Sequence, residues 1–139
     1  MLSFPRKTKF KKQQKGKAFN RINSTSIEPY SLKFGSIGLK ALTSGRLTAK
    51  QIESVRQSIS KIIKKQGHLR INIFPDTPIS KKPIEVRMGK GKGAVDHWVF
   101  KVKPGFILYE IETAYTSLAI KALESGKIRL PIQSKIVFN

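Results

Sequence analysis

The clearest pattern of apolar and polar positions predicts a helix of about 18 residues that starts after Thr48 and ends at Gly67. Thr48 and Gln51 have the spacing of a capping box, in which each side chain caps a backbone N–H at the start of the helix. The apolar positions recur every three or four residues: Ile52, Val55, Ile59, Ile62 and Ile63. One face of this helix is therefore expected to pack on a core.

Strand-like alternation follows the helix. Leu69 to Phe74 alternates apolar and polar residues, and the prolines and aspartate from Pro75 to Pro78 predict a turn. After Pro83, three short segments have strand character: Ile84 to Arg87, His97 to Val102 and Phe106 to Ile111. A Pro-Gly pair between the last two predicts a tight hairpin turn.

A second helix is predicted near the C-terminus, closed by Gly126 and followed by strand-like sequence from Ile128 to Phe138. The apolar positions of this helix are Tyr115, Leu118, Ala119, Ala122 and Leu123. Two helices among several short strands indicate an α+β fold, with a mixed, mostly antiparallel sheet. The length of 139 residues suits one such domain and a tail.

Charge changes this picture most. The chain has 28 Lys and Arg against 8 Asp and Glu, a formal net charge of +20, which indicates a polyanionic partner. Hydrophobic residues make up 39% of the chain, too many for a wholly disordered basic tail, and charges interrupt every apolar run that could span a membrane. The absence of cysteine excludes disulfides and thiolate chemistry.

Residues 1–27 contain no acidic residue, so this segment is expected to be an arm that orders on its partner, ahead of a single globular α+β domain at 28–139. A mitochondrial transit peptide has a similar composition and is the alternative. The cations of the arm are Arg6, Lys7, Lys9, Lys11, Lys12, Lys15, Lys17 and Arg21.

The polar face of the first helix is also basic, and only Glu53 balances its charge. Such a face is usually just solvated, but the excess of cations favours contact with phosphates. The cations are Lys50, Arg56, Lys61, Lys64 and Lys65.

The segment Arg87-Met88-Gly89-Lys90-Gly91-Lys92-Gly93 alternates glycine with cations or methionine, so its backbone could approach phosphates closely. It is neither a Walker A loop nor a dinucleotide fingerprint, because the spacing is wrong and a strand, not a helix, is expected to follow. A plain hairpin tip is the alternative to a nucleic-acid-binding loop.

Catalysis and metal binding have no support in the sequence. His68 and His97 are the only histidines, and the carboxylates are too scattered for a triad or a paired-acid site. Six aromatic residues are interleaved with cations and could stack on bases, although strand aromatics of this kind are more often core residues. They are Phe10, Phe19, Tyr30, Phe34, Trp98 and Tyr109.

An ordered set of segments runs through nearly the whole chain: Pro5-Arg6-Lys7-Thr8-Lys9-Phe10, Lys15-Gly16, Phe34-Gly35-Ser36, Gly38-Leu39-Lys40-Ala41, Gly45-Arg46-Leu47-Thr48-Ala49, Gln51-Ile52-Glu53, Phe74-Pro75-Asp76, Pro78-Ile79, Lys82-Pro83, Val86 to Gly93, Trp98, Pro104-Gly105, Leu108-Tyr109-Glu110 and Leu130-Pro131-Ile132. In this set the sequence resembles the family of large-subunit ribosomal protein sixteen, in its bacterial and organellar form.

The resemblance implies a non-catalytic protein with a hammerhead-type α+β core that binds large-subunit rRNA near the aminoacyl-tRNA site. The arm would enter RNA, and Arg87 to Gly93 would reach towards tRNA in the aminoacyl and peptidyl sites. Neighbouring large-subunit proteins are implied partners; no cofactor, metal or membrane is. Charge and resemblance together give the predicted rRNA-binding residues: Arg6, Lys7, Lys9, Lys11, Lys12, Lys15, Lys17, Arg21, Arg46, Lys50, Arg56, Lys64 and Lys65.

The sequence departs from the family pattern in three places. Asn20 to Tyr30 is longer and poorer in glycine than expected, Leu69 to Ile71 lacks the usual aromatic residue, and Gln133 replaces a cation. Because the pattern starts within the first five residues, no cleavable targeting peptide is expected. The excess of Lys over Arg and the many Ile residues suggest an A+T-rich gene, and hence a mitochondrial ribosome first, with a plastid or bacterial cytoplasm as alternatives.

Overall fold

The computed structural model of the chain describes residues 4–14 and 31–139. In chain order its elements are β1 (Ile37–Ala41), β2 (Gly45–Thr48), α1 (Ala49–Ile63), β3 (His68–Ile71), β4 (Thr77–Lys81), β5 (Ala94–Val102), β6 (Ile107–Glu112), α2 (Thr116–Lys127) and β7 (Ser134–Phe138). In this part of the chain the strands form a four-stranded sheet, β3-β6-β1-β7, and a three-stranded sheet, β2-β5-β4. All strand pairs in both sheets are antiparallel, so the predicted α+β fold is confirmed.

The first helix starts where the sequence predicts. Thr48 caps it, the Thr48 hydroxyl accepts from the Gln51 N–H, and the Gln51 side chain accepts from the Thr48 N–H at 2.9 Å. The helix ends at Ile63 and not at Gly67, because Lys64 adopts a positive φ of 52°. Gly67 has another role: a Cβ there would lie 2.8 Å from the carbonyl oxygen of Glu112. It lets the chain pass close to β6.

The core lies between the two helices and the four-stranded sheet. Ile52, Val55 and Ile59 of α1 are buried as the helical spacing predicts, and they join residues of β1, β6 and α2 in one cluster. Tyr109 is fully buried, and its hydroxyl donates to the carbonyl oxygen of Ile52 at 3.1 Å. Burial raises the pKa of the Tyr109 phenol, so this residue is a neutral member of the core.

Two sequence predictions fail around β4. Pro78 lies inside this strand, which is possible because β4 is at the edge of its sheet and Pro has no N–H to donate to a further strand. Ile84 to Arg87 is not a strand: Ile84 is 96% exposed, and the Val86 N–H closes a turn onto the carbonyl of Pro83. Without a neighbouring strand, the apolar residues of this segment remain in solvent.

Several boundaries also differ from the sequence prediction. β3 ends at Ile71, so it is shorter than Leu69 to Phe74, and the C-terminal strand is confined to Ser134–Phe138. Gly126 lies inside α2 and does not end it. A Cβ at Gly126 would be 3.0 Å from the Ile59 side chain, so this glycine lets the two helices approach. No helix in the described ranges has the length and apolar character needed to cross a membrane.

Candidate nucleic-acid interface

The described part of the arm, residues 4–14, and the glycine-lysine loop, residues 87–93, lie in contact although they are far apart in the sequence. The ammonium group of Lys12 donates to the carbonyl oxygen of Lys92 at 2.9 Å, across 80 residues of sequence. The ammonium group of Lys92 in turn donates to the carbonyl of Gln13. Each lysine therefore binds the backbone of the other segment, and the two segments form one surface.

The beginning of the described arm lies at the start of the first helix. Phe4 lines a cleft together with Lys50, His97 and Trp98, so the arm passes the first turn of α1 before it reaches the loop. This surface, defined as residues 4–14, Lys50 and residues 87–93, is called the basic surface below. Its cations come from three separate regions of the sequence, and most of their side chains are exposed.

The loop owes its shape to three consecutive residues with positive φ: Gly89 at 100°, Lys90 at 51° and Gly91 at 85°. A Cβ at Gly89 or Gly91 would meet no atom within 4 Å, so these glycines are needed for their backbone angles and not for space. Gly93 differs, because a Cβ there would lie 2.5 Å from the carbonyl of Lys81. All of residues 87–92 are exposed, and Met88 is 99% exposed.

Replacing Gly91 with Ala is expected to weaken the RNA binding that the sequence predicts for this loop about fivefold, while leaving the fold intact. A left-handed conformation costs a residue with a Cβ roughly 1–2 kcal/mol, so the loop would relax away from its present path. The loop is exposed, and this relaxation should not change the melting temperature. Filter binding to ribosomal RNA and thermal unfolding of the same samples test both statements. An unchanged affinity would show that the loop conformation has no part in binding.

The remaining predicted cations are placed less uniformly. Lys50, Lys64 and Lys65 are exposed, whereas Arg46 in β2 is half-buried. Arg56 forms a bidentate pair with Glu53, with a closest distance of 2.6 Å, and its hydrogen bonds lower the pKa of Glu53. Its charge is therefore partly neutralised on the helix itself. Lys15, Lys17 and Arg21 lie outside the described residues.

The aromatic candidates divide into core and surface. Tyr109 is a core residue, and Trp98 is half-buried. Phe10 is 62% exposed, with the ammonium of Lys9 at 5.6 Å from its ring centroid. Phe34 is 54% exposed, with the guanidinium of Arg70 over its ring. Phe19 and Tyr30 lie outside the described residues. Phe10 and Phe34 therefore remain available for stacking on bases.

A carboxylate that the sequence did not single out anchors the chain where it enters the domain. Glu110 is 1% exposed, and its Oε2 accepts the N–H groups of Lys33, Phe34 and Gly35 at 3.1, 2.7 and 2.9 Å. Its Oε1 accepts from the side-chain amide of Asn72 at 2.6 Å. Burial opposes ionisation, but these hydrogen bonds outweigh it and hold the pKa of Glu110 below its ordinary value. The sequence signals of this anchor are an acidic residue within an otherwise apolar strand and the place of Glu110 in the family pattern.

The two histidines have no common site. His97 is hydrogen-bonded to Asp96 at 2.8 Å, whereas His68 lies on β3 in the other sheet. Among the described residues no group of three or more His, Asp or Glu side chains is placed to hold a metal ion.

Comparison with known proteins decides the family. The family described as ribosomal protein L16p/L10e matches residues 5–137. The chain belongs to this ribosomal protein family. The large ribosomal subunit protein uL16 of Caulobacter vibrioides is 51% identical over 137 residues, covering 99% of this chain and 92% of the relative. The uL16 proteins of Maricaulis maris and Cereibacter sphaeroides are 50% and 47% identical over 133 residues. Each of these alignments covers 96% of this chain and 94% of the relative.

Membership of the ribosomal protein L16p/L10e family makes the chain a structural constituent of the large ribosomal subunit and not an enzyme. The resemblance seen in the sequence is thereby confirmed. These relatives are bacterial, which agrees with the bacterial-type pattern of the sequence. The mitochondrial assignment stays a prediction.

Proposed function

We propose that this chain binds large-subunit rRNA through its basic surface and the exposed lysines of α1, close to the aminoacyl-tRNA site, and supports the positioning of tRNA. The observation that carries the proposal is the reciprocal contact between Lys12 and Lys92. It joins two segments without acidic residues into one cationic surface. A continuous cationic surface of this kind can contact the closely spaced phosphates of a folded RNA.

Binding would be driven mainly by counterion release. Each lysine or arginine that contacts a phosphate displaces condensed cations, so affinity falls steeply as salt rises. Contacts to the shape and the sugar-phosphate backbone of the RNA would contribute more than hydrogen bonds to base edges. The reason is that the cations of α1 and of the loop supply mainly positive charge, which phosphates attract whatever the sequence. The domain positions the arm and the loop in advance, which lowers the entropy lost on binding.

The loop is the part proposed to approach tRNA. Residues 87–92 are exposed, and the glycines at 89 and 91 permit a path that other residues adopt only with strain. Arg87, Lys90 and Lys92 supply charge along that path. Neighbouring large-subunit proteins are proposed as further partners, and a mitochondrial ribosome is the proposed location, with a plastid or bacterial cytoplasm as alternatives.

Sedimentation of tagged full-length protein from lysate on a sucrose gradient tests this function. The protein should migrate with the large subunit after washes that remove loosely bound basic proteins, and it should enrich large-subunit rRNA. The origin of that RNA would identify the compartment. Protein that remained at the top of the gradient, and bound many RNAs equally at fixed salt, would instead be a general RNA chaperone.

A further inference from the structure

Arg70 and Phe34 form a stack on the surface of the four-stranded sheet. The central guanidinium carbon of Arg70 lies 3.8 Å from the centroid of the Phe34 ring, which is van der Waals contact with the ring face. Arg70 is on β3, the edge strand, and Phe34 is in the segment that leads into β1. The stack shares no residue with the basic surface defined above, which consists of residues 4–14, Lys50 and residues 87–93.

The aromatic half of this stack is fixed in place by the protein. The backbone N–H groups on both sides of Phe34 and its own N–H all donate to the buried Glu110 carboxylate. Gly35 is held equally closely, because a Cβ there would lie 2.6 Å from the carbonyl oxygen of Ile111. Little conformational entropy therefore remains to be lost when a ligand binds to the Phe34 ring.

The cationic half is held less tightly and is available. Arg70 is exposed, and its guanidinium donates no hydrogen bond and forms no ion pair within residues 4–14 and 31–139. The nearest carboxylate partner in the strand register, Glu110, is already occupied by four hydrogen bonds. The guanidinium therefore keeps one face on the ring, and no side chain or carbonyl of the described residues accepts from its N–H groups.

We infer that the Phe34–Arg70 stack binds one unpaired nucleobase of ribosomal RNA, an inference that rests on the proposed RNA-binding function. Bases in single-stranded RNA stack on aromatic rings and on guanidinium planes. Here the plane offered to a base is the outer face of the Arg70 guanidinium, which rests on the Phe34 ring. The net charge of +20 favours RNA over a protein partner.

The surroundings of the stack favour a base over a phosphate. His68, Glu112 and Arg70 line the same cleft as Phe34. Glu112 of β6 lies opposite His68 of β3 in the antiparallel register. A phosphate would be repelled by the exposed Glu112 carboxylate, whereas the amino group of a base can donate to it. The stack is thus a site for one base, while the basic surface and the lysines of α1 contact the phosphates of the same RNA.

The substitution Arg70→Lys tests the inference because it keeps the charge and removes the planar surface. Binding of the full-length chain to purified large-subunit rRNA should weaken about tenfold, with an unchanged slope of log affinity against log salt. Phe34→Leu should weaken binding by a similar factor. Arg129→Lys is the matched control, since Arg129 is exposed after α2 and outside both surfaces, and it should bind like the wild type.

Chemical probing of base edges on the bound rRNA supplies the second measurement. One unpaired nucleotide should be protected by the wild type and by Arg129→Lys but reactive with Arg70→Lys, while melting temperatures of all variants stay equal. Wild-type affinity and protection in both Arg70→Lys and Phe34→Leu would overturn the base site and leave the proposed function intact. A wild-type chain that fails to bind the rRNA at all would overturn the proposed function itself.

Discussion

Replacing Glu110 with Ala is expected to lower the free energy of unfolding by about 3 kcal/mol, because four donors lose their acceptor at once in a buried position. The backbone amides of residues 33–35 and the amide of Asn72 would have to find water or remain unsatisfied. Urea denaturation at neutral pH measures the change. Glu112→Ala is the control: Glu112 lies two positions further along β6, is exposed, and should change stability by less than about 0.5 kcal/mol.

The substitution Glu110→Gln separates charge from shape in the same experiment. Its carbonyl oxygen can still accept the three N–H groups, and the Asn72 amide can rotate to present its oxygen, so the loss should be smaller than with Ala. The pKa of Glu110 in the folded chain lies below its ordinary 4.5, so its charge stabilises the fold above about pH 4.5 and this contribution disappears as pH falls through the folded pKa. The stability difference between wild type and Glu110→Gln should therefore shrink in acid, and a constant difference would show that the charge is unimportant.

The triple substitution of Lys7, Lys9 and Lys11 by Ala is expected to reduce rRNA affinity about a hundredfold at moderate salt and to lower the slope of log affinity against log salt by about 2 to 3. All three side chains are exposed on the described arm, so each is free to contact a phosphate. Fluorescence anisotropy with labelled rRNA over a series of salt concentrations measures both quantities.

A control with the same loss of charge removes Lys121, Lys127 and Arg129, which are exposed on or just after α2. These residues lie outside the proposed interface, so their removal should change the affinity only slightly. Equal losses in the two triple variants would mean that net charge alone drives binding, and that the arm has no specific part in it.

The sequence predicts correctly those features of the fold that depend on residues close together in the chain. The start of α1 follows from Thr48 and Gln51, and the buried face of that helix follows from the spacing of its isoleucines. Ile84 shows where local pattern misleads: its surroundings have strand composition, but none of the strands in the described ranges pairs with it. Pro78 is the converse case, since only its position at a sheet edge makes it compatible with a strand.

The sequence shows the composition of the candidate interface but not how its segments are arranged. The arm and loop cations are visible as acid-free or glycine-rich segments, but Lys12 and Lys92 are 80 residues apart, and their contact depends on the whole fold. The backbone N–H groups that donate to Glu110 are 75 to 77 residues away in the sequence. Nothing local to Phe34 or Arg70 predicts their stack. The strand that lacks the aromatic residue expected for the family is the one that supplies Arg70.

The Glu110 anchor has a consequence for how the sequence can change over evolution. Upstream, Lys12 and Gln13 are bound to the loop, and downstream, residues 33–35 are bound to β6 through Glu110. A substitution at Glu110 would release residues 33–35 and Asn72 together, because one side chain accepts hydrogen bonds from all of them. Selection is therefore expected to act more strongly on this carboxylate than on Glu112, which is exposed two positions further along the same strand.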